Sequence, residues 1–358
     1  MRLALLSNAA VEHTRRWVEY FRGRGHDVKL WSMEAGPASL GAAPLPQAPL
    51  PGALRYPLAV PRLRRELAAF DPDLVNAHYV PNYGLMGALA GRRPLVVAAW
   101  GSDLLVVPRR DPLQRVRARF VLRRADRVIA DSANLAAAAR ALGAPAERVL
   151  EIPWGVDPER FRPGPPRERG LLLSTRMHEA VYDIPVILEA VGRVMAAQPH
   201  VRLVVTGDGT QRSALEALAA RRLPAARYQF VGRIDSATMA DWLARAEIYL
   251  SASHSDSTSV SLLEAMASGA VPVVSDLEGN REWVTEGDGA RLFRAGDPAA
   301  LAEAIGSALH HSSWLDAARE HNRRVILERG SWPVNLGRIE ALFESLALAA
   351  RVRTRGRE

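Results

Sequence analysis

The sequence of 358 residues contains no cysteine, which excludes disulfides, thiolate metal sites and a thiol nucleophile. It holds a single lysine, Lys29, so its positive charge is written almost entirely in arginine. No apolar run approaches the roughly 20 residues that a membrane-spanning helix needs; the stretch 95–100 is among the longest. A hydrophobic region of signal-peptide length is also missing near the start, and the expectation is a cytoplasmic protein not marked for export. No Gly-x-Gly-x-x-Gly follows the first apolar run, which argues against a dinucleotide-dependent oxidoreductase. There is no His-x-x-x-His pair either, so no metal centre is expected. Asp71-Pro72-Asp73 spells an acidic pair, but it precedes an apolar run and its proline suits a turn.

What is present is the composition of a soluble globular chain, 48% hydrophobic and 24% charged, long enough for two domains. The charge is unevenly divided: residues 1–165 carry 24 Lys and Arg against 15 Asp and Glu, and residues 166–358 carry 23 against 24. The basic half includes Arg62, Arg64, Arg65, Arg92, Arg93, Arg109, Arg110 and a run over 115–124. Such asymmetry fits an anionic partner, either acidic lipid or a phosphorylated acceptor, or a solvated surface built from arginine. Aromatic residues are not interleaved with the basic runs, so no nucleic-acid partner is expected.

Short apolar runs alternate with helical patterns, the signature of parallel βαβ units. Strands are expected at 3–7, 28–31, 74–78, 95–100, 127–130 and 149–152, and again at 171–174, 203–206, 228–231, 248–250 and 271–274. Residues 36–61 read as a long Pro/Gly/Ala-rich loop, and 161–170, with Pro163, Pro165 and Pro166, as a linker. The expected fold is α/β, with two doubly wound Rossmann-like domains facing a central cleft. They would comprise residues 1–165 and 166–335, with a C-terminal helix over 336–358 packing back on the first.

The richest chemistry lies in residues 253–276, SHSDSTSVSLLEAMASGAVPVVSD. Asp256 falls on the loop after a strand, and Glu264 inside a helix that Ser257, Thr258 or Ser259 would cap. A helix start offers free N–H groups and a positive dipole end, suited to a diphosphate flanked by carboxylates for sugar and ribose hydroxyls. A capped helix with two solvated acids is the alternative.

The pair Asp256 and Glu264, followed by Ala265-Met266-Ala267 and Gly269, resembles the acidic-pair signature of glycosyltransferase family four, the group 1 transferases of GT-B fold. Further segments are similar in the family's order: Gly25-His26-Asp27-Val28, Ile152-Pro153-Trp154-Gly155-Val156-Asp157, the Gly-Asp-Gly turn at 207–209, a hairpin over 289–297, and Ser331-Trp332. The resemblance implies roles at matching positions. Glu264 would bind ribose, Asp256 the donor sugar, and backbone N–H groups of Thr258, Ser259 and Val260 the distal phosphate. Arg176 would neutralise the leaving diphosphate, and Gly232 and Arg233 would recognise the base. Asp256 and Arg176 are thus the catalytic candidates.

Two departures stand out. Family members commonly carry a lysine a few residues past Arg176; here the stretch is Met177-His178-Glu179-Ala180-Val181-Tyr182, leaving His178 or Tyr182 as neutral substitutes. Trp100 stands where many relatives have a histidine near the reaction centre, so any polar role passes to Asp103 or His78. With His13, these are the acceptor-side candidates. The implied activity is retaining, metal-independent transfer of a hexose-type sugar from a nucleotide-sugar donor, with uridine the expected base and no cofactor. The acceptor is a saccharide, a small molecule or a lipid-linked carrier, anionic or held at the inner face of a membrane, where the arginine-rich tail at 351, 353, 355 and 357 would add weak contact. The alternatives are a catalytically impaired binding protein of the same fold and a nucleotide-sugar epimerase.

Overall fold

The computed structural model describes residues 1–45, 52–164 and 167–355. The chain divides into two compact units, Met1–Ile152 with Leu336–Glu358, and Pro153–Asn335. Each is a parallel sheet flanked by helices.

In the first unit the strands are Arg2–Leu6 (β1), Asp27–Ser32 (β2), Ala43–Pro44 (β3), Leu74–His78 (β4), Leu95–Ala98 (β5), Arg127–Ala130 (β6) and Val149–Glu151 (β7). They lie in the order β3-β2-β1-β4-β5-β6-β7. In the second they are Leu171–Ser174 (β8), Arg202–Thr206 (β9), Tyr228–Gly232 (β10), Ile248–Ser251 (β11), Val271–Ser275 (β12) and Arg291–Phe293 (β13), ordered β10-β9-β8-β11-β12-β13. Helices cover both faces, so the strands are apolar nearly throughout, as in Leu3 to Leu6 and Leu171 to Leu173. Strand order reverses between β1 and β4, and between β8 and β11. In open sheets of this kind ligands bind beyond the carboxyl ends of the strands at that reversal.

Four expectations change. The loop expected over 36–61 contains the start of a helix, Gly52–Phe70, with Pro57 and Pro61 inside it; residues 46–51 lie outside the described residues. Each interior proline costs about 3 kcal/mol. Tyr56, Val60, Leu63 and Leu67 nevertheless line one helical face and are buried, at roughly 1.5–3 kcal/mol apiece, so packing overrides propensity. The segment expected as a hairpin over 289–297 instead adds β13 parallel to β12, with Ser275 opposite Phe293. The expected strand 95–100 ends at Ala98, leaving Trp100 on the loop beyond it.

The boundary between units falls at Ile152, ahead of the expected linker, of which Pro165 and Pro166 lie outside the described residues, as does Arg357 of the tail. The reason is packing: Val156 and Phe161 are buried in the core of the second unit, and Val156 pairs with Ser331. Gly155, at φ 79°, makes that approach feasible; a Cβ there would sit 2.4 Å from the Gly330 carbonyl oxygen.

The final helix, Trp332–Arg355, runs in its later part within the first unit. Glu340, 7% exposed, accepts hydrogen bonds from Tyr20 Oη at 3.1 Å, Arg24 Nε at 3.1 Å and His26 Nε2 at 2.7 Å. Phe343 stacks on Phe21 with centroids 5.4 Å apart, and Arg351 pairs with Asp73 at 2.8 Å. Burial opposes the Glu340 charge, but the bonds from His26, Arg24 and Tyr20 hold its carboxyl below the ordinary glutamate range. A depressed folded value means that the stabilisation is complete above the unfolded value of about 4.3 and is lost as pH falls through the folded one. Glu340→Gln should therefore lower the melting temperature at neutral pH and bring it closer to wild type below pH about 4. Parallel melting curves at both pH values would contradict this role for Glu340.

Candidate active site

In the second unit the donor-side residues gather beyond the ends of β8 and β11. Arg176 follows β8 and is 7% exposed. Its Nη2 donates to Asp256 Oδ2 at 2.7 Å, and its Nη1 donates to Ser259 Oγ at 2.5 Å and Ser261 Oγ at 2.8 Å. The Tyr182 ring lies against the guanidinium, 4.2 Å from Cζ to centroid, a cation–π contact strengthened by desolvation. Burial disfavours the charge on Arg176, yet the Asp256 carboxylate beside it raises its affinity for the proton above that of an ordinary arginine. Burial pushes the Asp256 carboxyl up from the ordinary aspartate range against the pull of Arg176. Because a guanidinium does not give up its proton in a protein, Asp256 faces a fixed positive charge.

The loop carrying Asp256 is pinned from several sides. Gly279 leaves no room above it, since a Cβ there would fall 2.2 Å from the Ser257 carbonyl oxygen. Trp283 Nε1 donates to Thr258 Oγ1 at 3.2 Å, and the Tyr249 hydroxyl donates to Ser261 Oγ at 3.0 Å. Ser259 caps the helix Val260–Ser268, its Oγ accepting from the Leu262 N–H at 3.4 Å, and Gly269 in the left-handed region ends it. The start of that helix therefore stands beside the buried guanidinium, and Glu264 sits about one turn in, half-buried.

Gly232 ends β10 at φ 71°, and its carbonyl accepts the Gly207 N–H at 2.8 Å. Gly207 has no space for a side chain, because a Cβ would meet the Arg176 carbonyl oxygen at 2.7 Å. The Gly207-Asp208-Gly209 turn thus joins the Gly232 turn to the Arg176 segment, while Arg233 is exposed. His178, fully buried, donates its backbone N–H to the Asp208 carbonyl at 3.0 Å. Its ring lies edge-on to Phe230 at 5.8 Å, so it packs under the turn.

The acceptor-side candidates collect in the first unit, beyond β4 and β5. Trp100 meets His13 at 5.9 Å and His78 at 5.7 Å between ring centroids, both edge-on. His78 is completely buried; its Nδ1 lies 3.2 Å from Ser7 Oγ and its Nε2 2.9 Å from Asn76 Oδ1. Burial, with His13 nearby, lowers its pKa to about 3, and burial with repulsion from Arg16 lowers that of His13 to about 4. Both imidazoles are neutral near pH 7. Asp103, also completely buried, accepts the Trp100 N–H and the Val80 N–H, each at 2.9 Å. Burial raises its pKa to about 6, against those backbone bonds. The expectation that Asp103 or His78 takes over a polar role at the Trp100 position is therefore corrected. With no exposed surface and their polar atoms engaged, Asp103 clamps the loops after β4 and β5, and His78 packs beneath Trp100.

Comparison with known proteins bears on the family and the fold. Residues 10–160 match the model of Glycosyltransferase Family 4, and residues 168–311 that of Glycosyl transferases group 1. A phosphatidyl-myo-inositol mannosyltransferase of Mycolicibacterium smegmatis is 26% identical over 357 residues, covering 94% of this chain and 89% of that one. A D-inositol 3-phosphate glycosyltransferase of Geodermatophilus obscurus is 31% identical over 302 residues, 74% of this chain and 66% of that one. The chain belongs to the family-four, group 1 glycosyltransferases. Its GT-B fold is shared with sucrose-phosphate synthase from Thermosynechococcus elongatus, at a TM-score of 0.85 and 19% identity over 98% of this chain and all of that one. Anabaena HepE, solved with UDP-glucose, follows at 0.82 and 18% over 97% of this chain and 100% of that one.

In this glycosyltransferase two contacts escaped the sequence reading. Ser261 takes one arm of Arg176, and Tyr182 serves as a stacking partner rather than a second cation. The run Ser257-Thr258-Ser259-Val260-Ser261 carries a signal for the first, because alternate hydroxyls at a helix start can share one guanidinium. Tyr182 has no such local signal; only the fold brings its ring under Arg176.

Removing one member of a buried ion pair strands the other, at roughly 3–5 kcal/mol. Arg176→Met should therefore cost close to the lower figure in urea denaturation, given the partial exposure of Asp256. Adding Asp256→Leu should recover much of that loss, and a double variant as unstable as the sum of the singles would show that the pair is not coupled.

Proposed function

We propose that this glycosyltransferase moves a hexose-type sugar from a nucleoside-diphosphate donor, with uridine the favoured base, to an anionic or membrane-linked acceptor. In this reading it works at the cytoplasmic face, retains the anomeric configuration and needs no metal. The observation that carries the reading is the buried guanidinium of Arg176 beside the Ser259-capped helix start, a fixed cation next to the positive end of a helix. A diphosphate there would be neutralised by Arg176 and by the N–H groups of Thr258, Ser259 and Val260. Glu264 would accept hydrogen bonds from ribose hydroxyls, Asp256 from hydroxyls of the sugar, and the Gly232–Arg233 backbone would meet the base.

The bond from the anomeric carbon to the diphosphate oxygen would break as the acceptor oxygen bonds to the same face of that carbon. The acceptor's proton would pass to the departing phosphate oxygen, so no strong protein base is required. That suits a first unit whose two histidines near Trp100 are neutral. HepE, solved with UDP-glucose, and relatives named for phosphorylated inositol acceptors support a nucleotide-sugar donor and an anionic acceptor. The basic balance of residues 1–165 supports the same acceptor chemistry.

Glu264→Ala should weaken UDP-sugar binding by about 1.5–3 kcal/mol, the worth of a charge-assisted hydrogen bond, measured by calorimetry on the folded variant. Unchanged affinity would falsify the assignment. Turnover should survive dialysis against a chelator; loss of activity that only magnesium or manganese restores would remove the metal-independent mechanism. Donor bound without transfer to any acceptor would favour an impaired binding protein, a reading to which the neutral Tyr182 in place of a lysine lends weight.

A further inference from the structure

The unpaired positive charge of the first unit is densest in one place. Arg62, Arg92, Arg93 and Arg140 are each balanced by an ion pair, with Glu66, Asp71, Asp126 and Glu151. The helix Pro112–Arg124 and the turn Val107–Arg110 before it are different. They carry Arg109, Arg110, Arg115, Arg117, Arg119, Arg123 and Arg124 against a single acid, Asp111. Asp111 is committed to capping, its Oδ1 accepting from the Leu113 and Gln114 N–H groups. Arg117 turns inward and is 8% exposed. The other six arginines are exposed, and among the described residues no ion pair involves them.

The same helix shows apolar side chains to water. Leu113 is 50% exposed and Val116 63%, and with the half-buried Phe120 they repeat at the spacing of one helical stripe. This is not a misplaced core face, because Ala118, Val121 and Leu122 already seat the helix at 0% exposure. At 100° per residue Arg119 and Arg123 flank the stripe on one side and Arg124 on the other. The Arg124 guanidinium lies 5.0 Å from the Phe120 ring centroid. Val116, Arg119, Phe120, Arg123 and Arg124 line a pocket of about 420 Å³.

An apolar stripe between arginines limits what can cover it. A second copy of this chain would set like charges against like charges. A nucleic acid would answer the arginines but offers no counterpart to Leu113 and Val116. An acidic bilayer answers both, with phosphates at headgroup level and apolar depth just below. We propose that the face formed by Leu113, Val116 and Phe120 with Arg119, Arg123 and Arg124 docks the protein on an anionic phospholipid bilayer. This deepens the reading of the acceptor as anionic or membrane-linked, and the docking itself stands on the charge and exposure of this helix.

The test is co-sedimentation of the full chain with vesicles of phosphatidylcholine alone and of phosphatidylcholine mixed with phosphatidylglycerol. Binding should require the acidic lipid and should fall as salt shortens the screening length below about 8 Å. Replacing Arg119, Arg123 and Arg124 by Glu should weaken it by on the order of a hundredfold, since each arginine near an acidic surface is worth around fivefold. Leu113→Ser with Val116→Ser, which leaves the charge unchanged, should weaken it severalfold. Equal partition onto both vesicles, or binding indifferent to either set of substitutions, overturns the proposal. So does duplex DNA that displaces the vesicles while the serine variant binds as well as wild type, which would make this a nucleic-acid face. UDP-sugar binding should be the same in all variants, because none touches the donor-side residues. If wild type binds acidic vesicles but transfers no sugar, the transferase mechanism fails and the docking face stands.

Discussion

A permanently charged guanidinium buried at the end of a strand must be answered on every side, and the second unit is arranged around that requirement. Arg176 cannot be neutralised by losing its proton, so in a poorly solvated position its charge has to be met by geometry. Asp256 supplies the opposite charge, Ser259 and Ser261 accept from the other arm, and Tyr182 covers a face of the guanidinium plane. The surroundings are held in turn: Ser261 by Tyr249, the Asp256 loop by the close approach of Gly279, Thr258 by Trp283. Even the glycines of the 207–209 turn follow from the backbone of Arg176 and His178 passing close by. Under the proposed function an incoming diphosphate competes with Asp256 for the same cation. The carboxylate would then be left free to meet the hydroxyls of the sugar.

That arrangement was only partly legible beforehand. Strands of four to six residues in the middle of parallel sheets are apolar on both faces, so β1, β8 and β12 stand out as nearly uninterrupted runs. Asp256, Ser259 and Glu264 stand out because a cap and a helix have fixed spacings. What depends on distant packing did not. The helix Gly52–Phe70 is masked by Pro57 and Pro61, whose local preference loses to the burial of Tyr56, Leu63 and Leu67. β3 and β13 are two and three residues long, too short for any periodicity. The boundary at Ile152 is invisible because the prolines that suggest a linker come after Val156 and Phe161, whose burial in the second unit only the fold shows. Burial is equally hidden. His78 and Asp103 read as polar groups at strand ends, and only the fold turns one into packing and the other into a loop clamp.

The two units use the same side chain in opposite dielectric settings. In the second unit Arg176 is a buried arginine, in surroundings where a charge acts strongly and over a short range. Its partners fix its orientation, and salt has little access to it. The first unit places six arginines on an exposed helix and its preceding turn, where each interacts weakly, is screened by ions and acts only in sum. A single buried cation can discriminate the position of one phosphate group. A field of exposed cations discriminates only the presence of many. The first suits a bond that breaks at one oxygen, the second an extended charged surface, and an enzyme joining a soluble donor to an acceptor held on such a surface has use for both.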